Sequence, residues 1–200
     1  MRGANPLTRQ QIKEVLGVTT TIREKSLLVV GMATGYRISE LLSLKVSDVC
    51  TKTAYGVNAI HSHINVKASN TKGGKQGRSV LLNSDCKKVL TLLVTWLESK
   101  GLDATAPLFV SRKHINGYAA ITRQQAGRLL KALFALVGCV GSSYSTHTMR
   151  KTYASIVFIA TGKNLALTSI ALGHRSISST MSYLSFNTSE IDDVINAMEF

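Results

Sequence analysis

Residues 23–35, REKSLLVVGMATG, read as a helix that is apolar on nearly every side. Such a helix is stable in water only when other elements surround it, so the chain must build a helical assembly around this segment. Residues 6–18, PLTRQQIKEVLGV, supply one neighbour: Thr8 and Gln11 form a capping box, and Ile12, Val15 and Leu16 make one apolar face. Residues 37–49, RISELLSLKVSDV, read as a short amphipathic helix and a turn. From residue 83 the pattern is helical again, and Thr122 with Gln125 repeats the capping box ahead of AGRLLKALFALVG (126–138). The helix-rich last third holds three further stretches, 145–163, 164–174 and 176–184, ahead of a tail at 189–200.

Only between these helices does the period change to two. In VNAIHSHINVKAS (57–69), Ile60, Ile64 and Val66 take one face of a strand and His61 and His63 the other. NTKGGKQG (70–77) is a glycine-rich hairpin turn, and RSVLL (78–82) returns as the partner strand. The expected class is α+β, mostly helical, with one small antiparallel sheet. No Pro/Gly/Ser-rich linker divides the chain, which reads as one domain.

Charge narrows the partner. Lys and Arg number 24 against 11 acids, a net charge of +13. Four of the acids, Glu190, Asp192, Asp193 and Glu199, lie in the last eleven residues, leaving 24 bases against 7 acids before them. Such a body favours a polyanion, with nucleic acid the first candidate. The longest apolar runs, 27–36 and 132–141, are ten residues each, about half of what spans a bilayer. MRGANPLT has no apolar stretch of the kind a secretory signal needs. Cys50, Cys86 and Cys139 are widely spaced and without a CxxC pair, and read as thiols in a reducing compartment. The two histidines of HSH (61–63) lack a nearby third ligand, so no metal site is assigned.

Several polar residues stand in arrangements that ordinary surface pairs also use: His147 and Arg150 three apart on one helix face, Arg37 with Glu40 at a spacing that lets the carboxylate orient the guanidinium, Lys72 and Lys75 at the glycine-rich turn, and His174 nine residues before Tyr183. Together they match one chemistry, attack of a tyrosine hydroxyl on a phosphodiester. Two arginines can grip the non-bridging oxygens as negative charge builds on them. A phenol ionises around pH 10, so a histidine helps by accepting its proton or by bonding to the phosphorane. A lysine can protonate the departing 5′-oxygen.

ATGYRISELLSLKVSDV (33–49), HTMRKTYAS (147–155) and LGHRSISSTMSYL (172–184), in this order and spacing, resemble the catalytic domain of the tyrosine recombinases, the phage integrase family. The resemblance covers residues 7 to about 187. It implies a site-specific recombinase acting through a covalent 3′-phosphotyrosyl intermediate. It implies too a fold in which a small antiparallel sheet packs on a helical bundle. The family's arginine, acid, hairpin lysine, His-x-x-Arg, second histidine and nucleophilic tyrosine fall on Arg37, Glu40, Lys72, His147, Arg150, His174 and Tyr183, with Lys75 the alternative to Lys72. Thr180 stands where the family commonly has threonine, and Lys151 where many members have histidine. Lys75, Arg78, Lys151 and Arg175 are expected to contact DNA.

No cofactor or metal is implied. The expected partners are double-stranded DNA and further copies of the chain, as a tetramer on synapsed DNA, and the expected setting is the cytoplasm and its nucleoid. Residues 1–200 then form the catalytic domain, 1–6 being a leading tail. Most members add an N-terminal core-binding domain, expected to be absent here, as in a fragment or in naturally short forms such as the fimbrial phase-variation invertases. Ile191, Val194, Ile195 and Met198 recur at helical spacing within the segment 188–200, which docks either on a neighbouring protomer or on its own domain. Two other readings use the same residues: a recombinase-like DNA-binding regulator that does not cleave, and a type IB topoisomerase.

Overall fold

The apolar segment lies at the centre, as its composition demands. In a computed structural model, which describes residues 4–52, 58–66, 77–111, 119–174, 176–181 and 183–184, it forms helix α2 (Ile22–Thr34), with Leu27, Leu28, Val30 and Met32 buried. Its main neighbours are α4 (Ser84–Ser99) and α6 (Thr146–Ala160). Helix α4 turns Cys86, Val89, Leu90, Leu93, Val94 and Leu97 inward. Helix α6 comes close because Gly31 carries no side chain: a β-carbon there would lie 2.5 Å from the sulfur of Met149. Around this trio stand α1 (Arg9–Gly17), α3 (Ile38–Leu42), α5 (Arg123–Leu136), α7 (Leu165–Leu172) and α8 (Ile177–Met181). One apolar cluster runs from Leu7 to Met149. Cys50, Cys86 and Cys139 are buried with free thiols.

Both expected capping boxes form, Thr8 with Gln11 on α1 and Thr122 with Gln125 on α5. A third, Thr21 with Glu24, starts α2 and had no place in the sequence reading. Each box satisfies two helix-terminal N–H groups that would otherwise lack partners.

The strand region departs from expectation in one respect. Residues 58–66 do not form one continuous strand in one sheet. β2 (Asn58–Ile60) pairs with β1 (Cys50–Lys52), and β3 (His63–Val66) pairs with β4 (Arg78–Leu81), giving two two-stranded antiparallel sheets. The chain changes partner at His61 and Ser62. The His61 N–H donates to Val49 O at 2.9 Å, while Ser62 O accepts from the Leu82 N–H at 2.8 Å. The His61 ring fixes the switch, its Nε2 lying 2.6 Å from Thr51 Oγ1. The expected hairpin register holds within β3 and β4, where Val66 faces Arg78 and both Ile64 and Val66 are buried.

Candidate active site

Two helices end in the same way and at the same place. Helix α2 stops at Gly35 (φ +59°) and α7 at Gly173 (φ +63°), both left-handed caps, a conformation that suits glycine because it has no Cβ. A side chain at Gly35 would also strike the Tyr153 ring, 2.3 Å from the position of its β-carbon. Directly beyond the caps come Tyr36 and Arg37 on one side and His174 on the other.

Arg150, from α6, joins the two ends. It is wholly buried. Nη1 donates to Gly35 O at 2.5 Å, and Nη2 donates to Leu172 O at 2.8 Å and to His174 Nε2 at 2.9 Å. Its Nε is buried and has no hydrogen-bond partner among the described residues. Burial, and then the positive charges of Arg37 and Arg78, push the guanidinium down to about 10.

These contacts assign the His174 tautomer. A nitrogen that accepts from arginine carries no proton, so the proton sits on Nδ1 and is donated to Thr180 Oγ1, 2.9 Å away. Burial first, then Arg150, Arg37 and Arg78, hold His174 down at about 4, so the ring is neutral at ordinary pH. Thr180 is buried, and its carbonyl accepts the Tyr183 N–H at 2.9 Å. One residue therefore holds both the histidine and the backbone of the tyrosine.

Tyr183 follows α8 and is half-buried. Its ring centroid is 5.2 Å from that of His174, with a 54° tilt between planes. The Arg150 Cζ lies 5.6 Å from the Tyr183 ring centroid. Arg37 caps α3 and bonds twice to Glu40, Nη1 to Oε1 at 2.8 Å and backbone N–H to Oε2 at 2.7 Å. Glu40 is buried, so it fixes the direction of the more accessible guanidinium. His147 lies in the first turn of α6 and is exposed; desolvation, then Arg150 and Arg37, lower its pKa.

Arg37, Glu40, Arg150, His174 and Tyr183 thus come together, with His147 in the field of the same arginines. Lys72, Lys75 and Arg175 lie outside the described residues. Lys151 is half-buried beside Arg150, and burial lowers its pKa.

Arg78 corrects the expectation that it faces DNA. Its guanidinium turns inward, with Nη2 donating to Thr34 O at 2.6 Å and to Ala171 O, and Nη1 to Gly35 O at 3.4 Å. It lies over the rings of Tyr36 and Tyr153. The carbonyls of two converging helix ends attract a cation more strongly than solvent-exposed sites beyond the hairpin do.

A basic cavity of about 740 Å³ adjoins the site, lined by Arg123, Gln124, Arg128, Lys131, Ser145 and Thr146 among others. Sequence reading missed it. The signal was present as the i, i+5, i+8 spacing of Arg123, Arg128 and Lys131 on one helix, but the cavity arises only where α5 meets the start of α6.

The chain matches the phage integrase family over residues 5–190, and it belongs to that family, the tyrosine recombinases. It is 23% identical over 189 residues to tyrosine recombinase XerA of Pyrococcus horikoshii, a match covering 94% of this chain and 59% of that protein. It is 32% identical over 163 residues to tyrosine recombinase XerD of Brucella suis, covering 81% and 48%. Among solved structures, a XerA recombinase has a TM-score of 0.71 at 22% identity, covering all of this chain and 66% of that one. The XerH site-specific recombinase bound to its difH substrate, a pre-cleavage complex, has a TM-score of 0.70 at 21% identity, covering all of this chain and 56% of that one. The chain spans about half the length of the curated relatives it matches, and the fold of these structures is its own.

Proposed function

We propose that this chain is the catalytic domain of a site-specific DNA recombinase that breaks and rejoins DNA through a 3′-phosphotyrosyl intermediate. The observation that carries the reading is the contact set Arg150–His174–Tyr183, with Arg37 held by Glu40: a nucleophile, a neutral base and two anion grips in one place. The Tyr183 oxygen attacks phosphorus while the bond to the 5′-oxygen breaks. The phenol proton passes to His147 or His174, whose pKa values are both lowered by burial and then by the neighbouring arginines. Arg37 and Arg150 stabilise the non-bridging oxygens, and the Arg150 Nε–H is a donor left for one of them. Lys72, with Lys75 the alternative, protonates the departing 5′-oxygen, which leaves as a hydroxyl. Rejoining reverses each step.

Double-stranded DNA is the substrate this reading requires. The net charge of +13 and the cavity of Arg123, Arg128 and Lys131 support it, and Lys75, Lys151 and Arg175 join these as phosphate contacts. Self-association on synapsed DNA is part of the same reading. It is supported by an apolar surface of Ile156, Ile159, Leu167, Ile170, Ile177 and Met181 on three successive helices, for which the apolar stripe at Ile191, Val194, Ile195 and Met198 from a neighbouring copy is a fitting cover. No described helix is long and apolar enough to cross a membrane; the cytoplasm and its nucleoid are where such an enzyme would meet DNA.

Covalent trapping tests the proposal. Nicked suicide duplexes carrying candidate sites are incubated with the protein, denatured in SDS, and the DNA-linked peptide is mapped. An adduct on the Tyr183 peptide, lost in Tyr183→Phe, is the expected result. Binding without an adduct on any duplex would leave a DNA-binding regulator.

A further inference from the structure

Arg150 and Arg78 form a pair. Arg150 donates to Gly35 O and Leu172 O, and Arg78 donates to Thr34 O, Gly35 O and Ala171 O. Two guanidiniums thus pin the last carbonyls of α2 to the last carbonyls of α7. These carbonyls lie two or three residues before Arg37 at the end of α2 and before His174 at the end of α7. Arg78 is packed between the Tyr36 and Tyr153 rings, at 5.0 and 5.7 Å, and its Cδ lies 3.0 Å from where a β-carbon on Gly173 would sit.

Its backbone is held as well. The Tyr36 hydroxyl lies 2.7 Å from Ile64 O and 2.9 Å from Arg78 O, sharing its proton between β3 and β4. Arg78 faces Val66 in the last pair of the hairpin, so the segment 67–77, which carries Lys72 and Lys75, begins and ends at this pair.

We infer that Arg78 is a positioning residue: it braces the two helix ends, and ties them to the Val66–Arg78 pair of β3 and β4, so that Arg37 and His174 meet one phosphate. The inference rests on the recombinase reading of the site. A cation is suited to the task because helix C-terminal carbonyls carry partial negative charge, and arginine specifically because its fork reaches several acceptors at once. Among the described residues Arg78 touches none of the reacting groups; it acts through the backbone that presents them.

Arg78→Lys keeps the charge and loses the fork. Single-turnover adduct formation on a saturating nicked duplex is expected to fall about 10²-fold, the usual effect of a misplacement near 1 Å. DNA affinity, and its slope against salt, are expected to stay at wild-type values. Tyr36→Phe, which removes one tie of the same brace, falls in between. Leu93→Ala in α4 controls for stability: at an equal loss of Tm it retains the wild-type rate. Wild-type rates in both brace variants overturn the inference. So does a weaker, less salt-dependent binding with the saturated rate unchanged, the behaviour of a phosphate contact, and so does an equal rate loss in Leu93→Ala.

If the wild-type chain forms no adduct, the recombinase reading fails while the brace is still judged by NMR. The His174 ring should titrate at about 4, and Arg78→Lys should move that midpoint upward by loosening His174 from Arg150. An unmoved midpoint overturns the brace.

Discussion

The Tyr183 ring covers the Arg150 guanidinium, with 5.6 Å between Cζ and the ring centroid. A phosphate reaching Arg150 must displace this ring, at a cost of about 0.5–1 kcal/mol for the cation–π contact. Tyr183→Phe keeps the ring and is expected to bind DNA as the wild type does, without forming an adduct. Tyr183→Ala removes the cover and should bind about 2–5-fold more tightly, which fluorescence anisotropy at fixed salt would measure.

Thr180 accepts the His174 Nδ1 proton inside the protein. Thr180→Val fills the same volume but leaves that N–H without a partner, which costs about 1–3 kcal/mol. The ring is then free to flip or change tautomer. A lower Tm, a slower adduct reaction and an altered imidazole ¹⁵N pattern for His174 are the expected outcomes, whereas Thr180→Ser restores all three.

His174 titrates at about 4 in the folded protein, against about 6.5 for an ordinary histidine. The unfolded chain therefore binds more protons across that interval, and folding stability rises with pH there. The contribution is complete above about pH 6.5 and disappears as pH falls to 4. His147, lowered in the same direction, adds to the slope. Thermal melts from pH 4 to 7 should show Tm rising, and His174→Gln should flatten part of that rise.

Gly35 combines a left-handed backbone with contact against Tyr153. Gly35→Ala should cost about 1–3 kcal/mol from backbone strain, before any clash is counted. Because its carbonyl anchors Arg150, the adduct rate should fall further than the Tm loss alone explains. Gly101, also at positive φ but with open space around it, is the matched control: Gly101→Ala lowers Tm and leaves the rate intact.

What was legible from residues alone, apart from the family resemblance, is what rests on local contacts. Arg37 and Glu40 are three apart, each capping box spans three residues, and the central helix announces itself by having no polar side. Arg78 was misread for a physical reason. A basic residue next to a glycine-rich turn in a strongly cationic chain looks like a solvent-facing contact, and only the convergence of α2 and α7, far apart in sequence, supplies carbonyls to draw it inward. The partner switch at His61 was hidden likewise, since strict alternation continues through Ser62 while the hydrogen-bonding partner changes. Thr180 was placed by resemblance, but its bond to His174 depends on the turn joining α7 to α8.

The all-apolar helix α2 has a kinetic consequence. Arg150 is fastened to the carbonyl that caps α2, a helix with most of its residues buried, whose amides are expected to exchange with solvent only when the domain opens. The tyrosine follows α8, five residues long and exposed at every described position but Thr180, and a turn of that kind opens at little cost. One region is expected to keep time with global unfolding and the other with local fluctuation, so on the proposed reading Tyr183 can move away and return while the arginines stay in place.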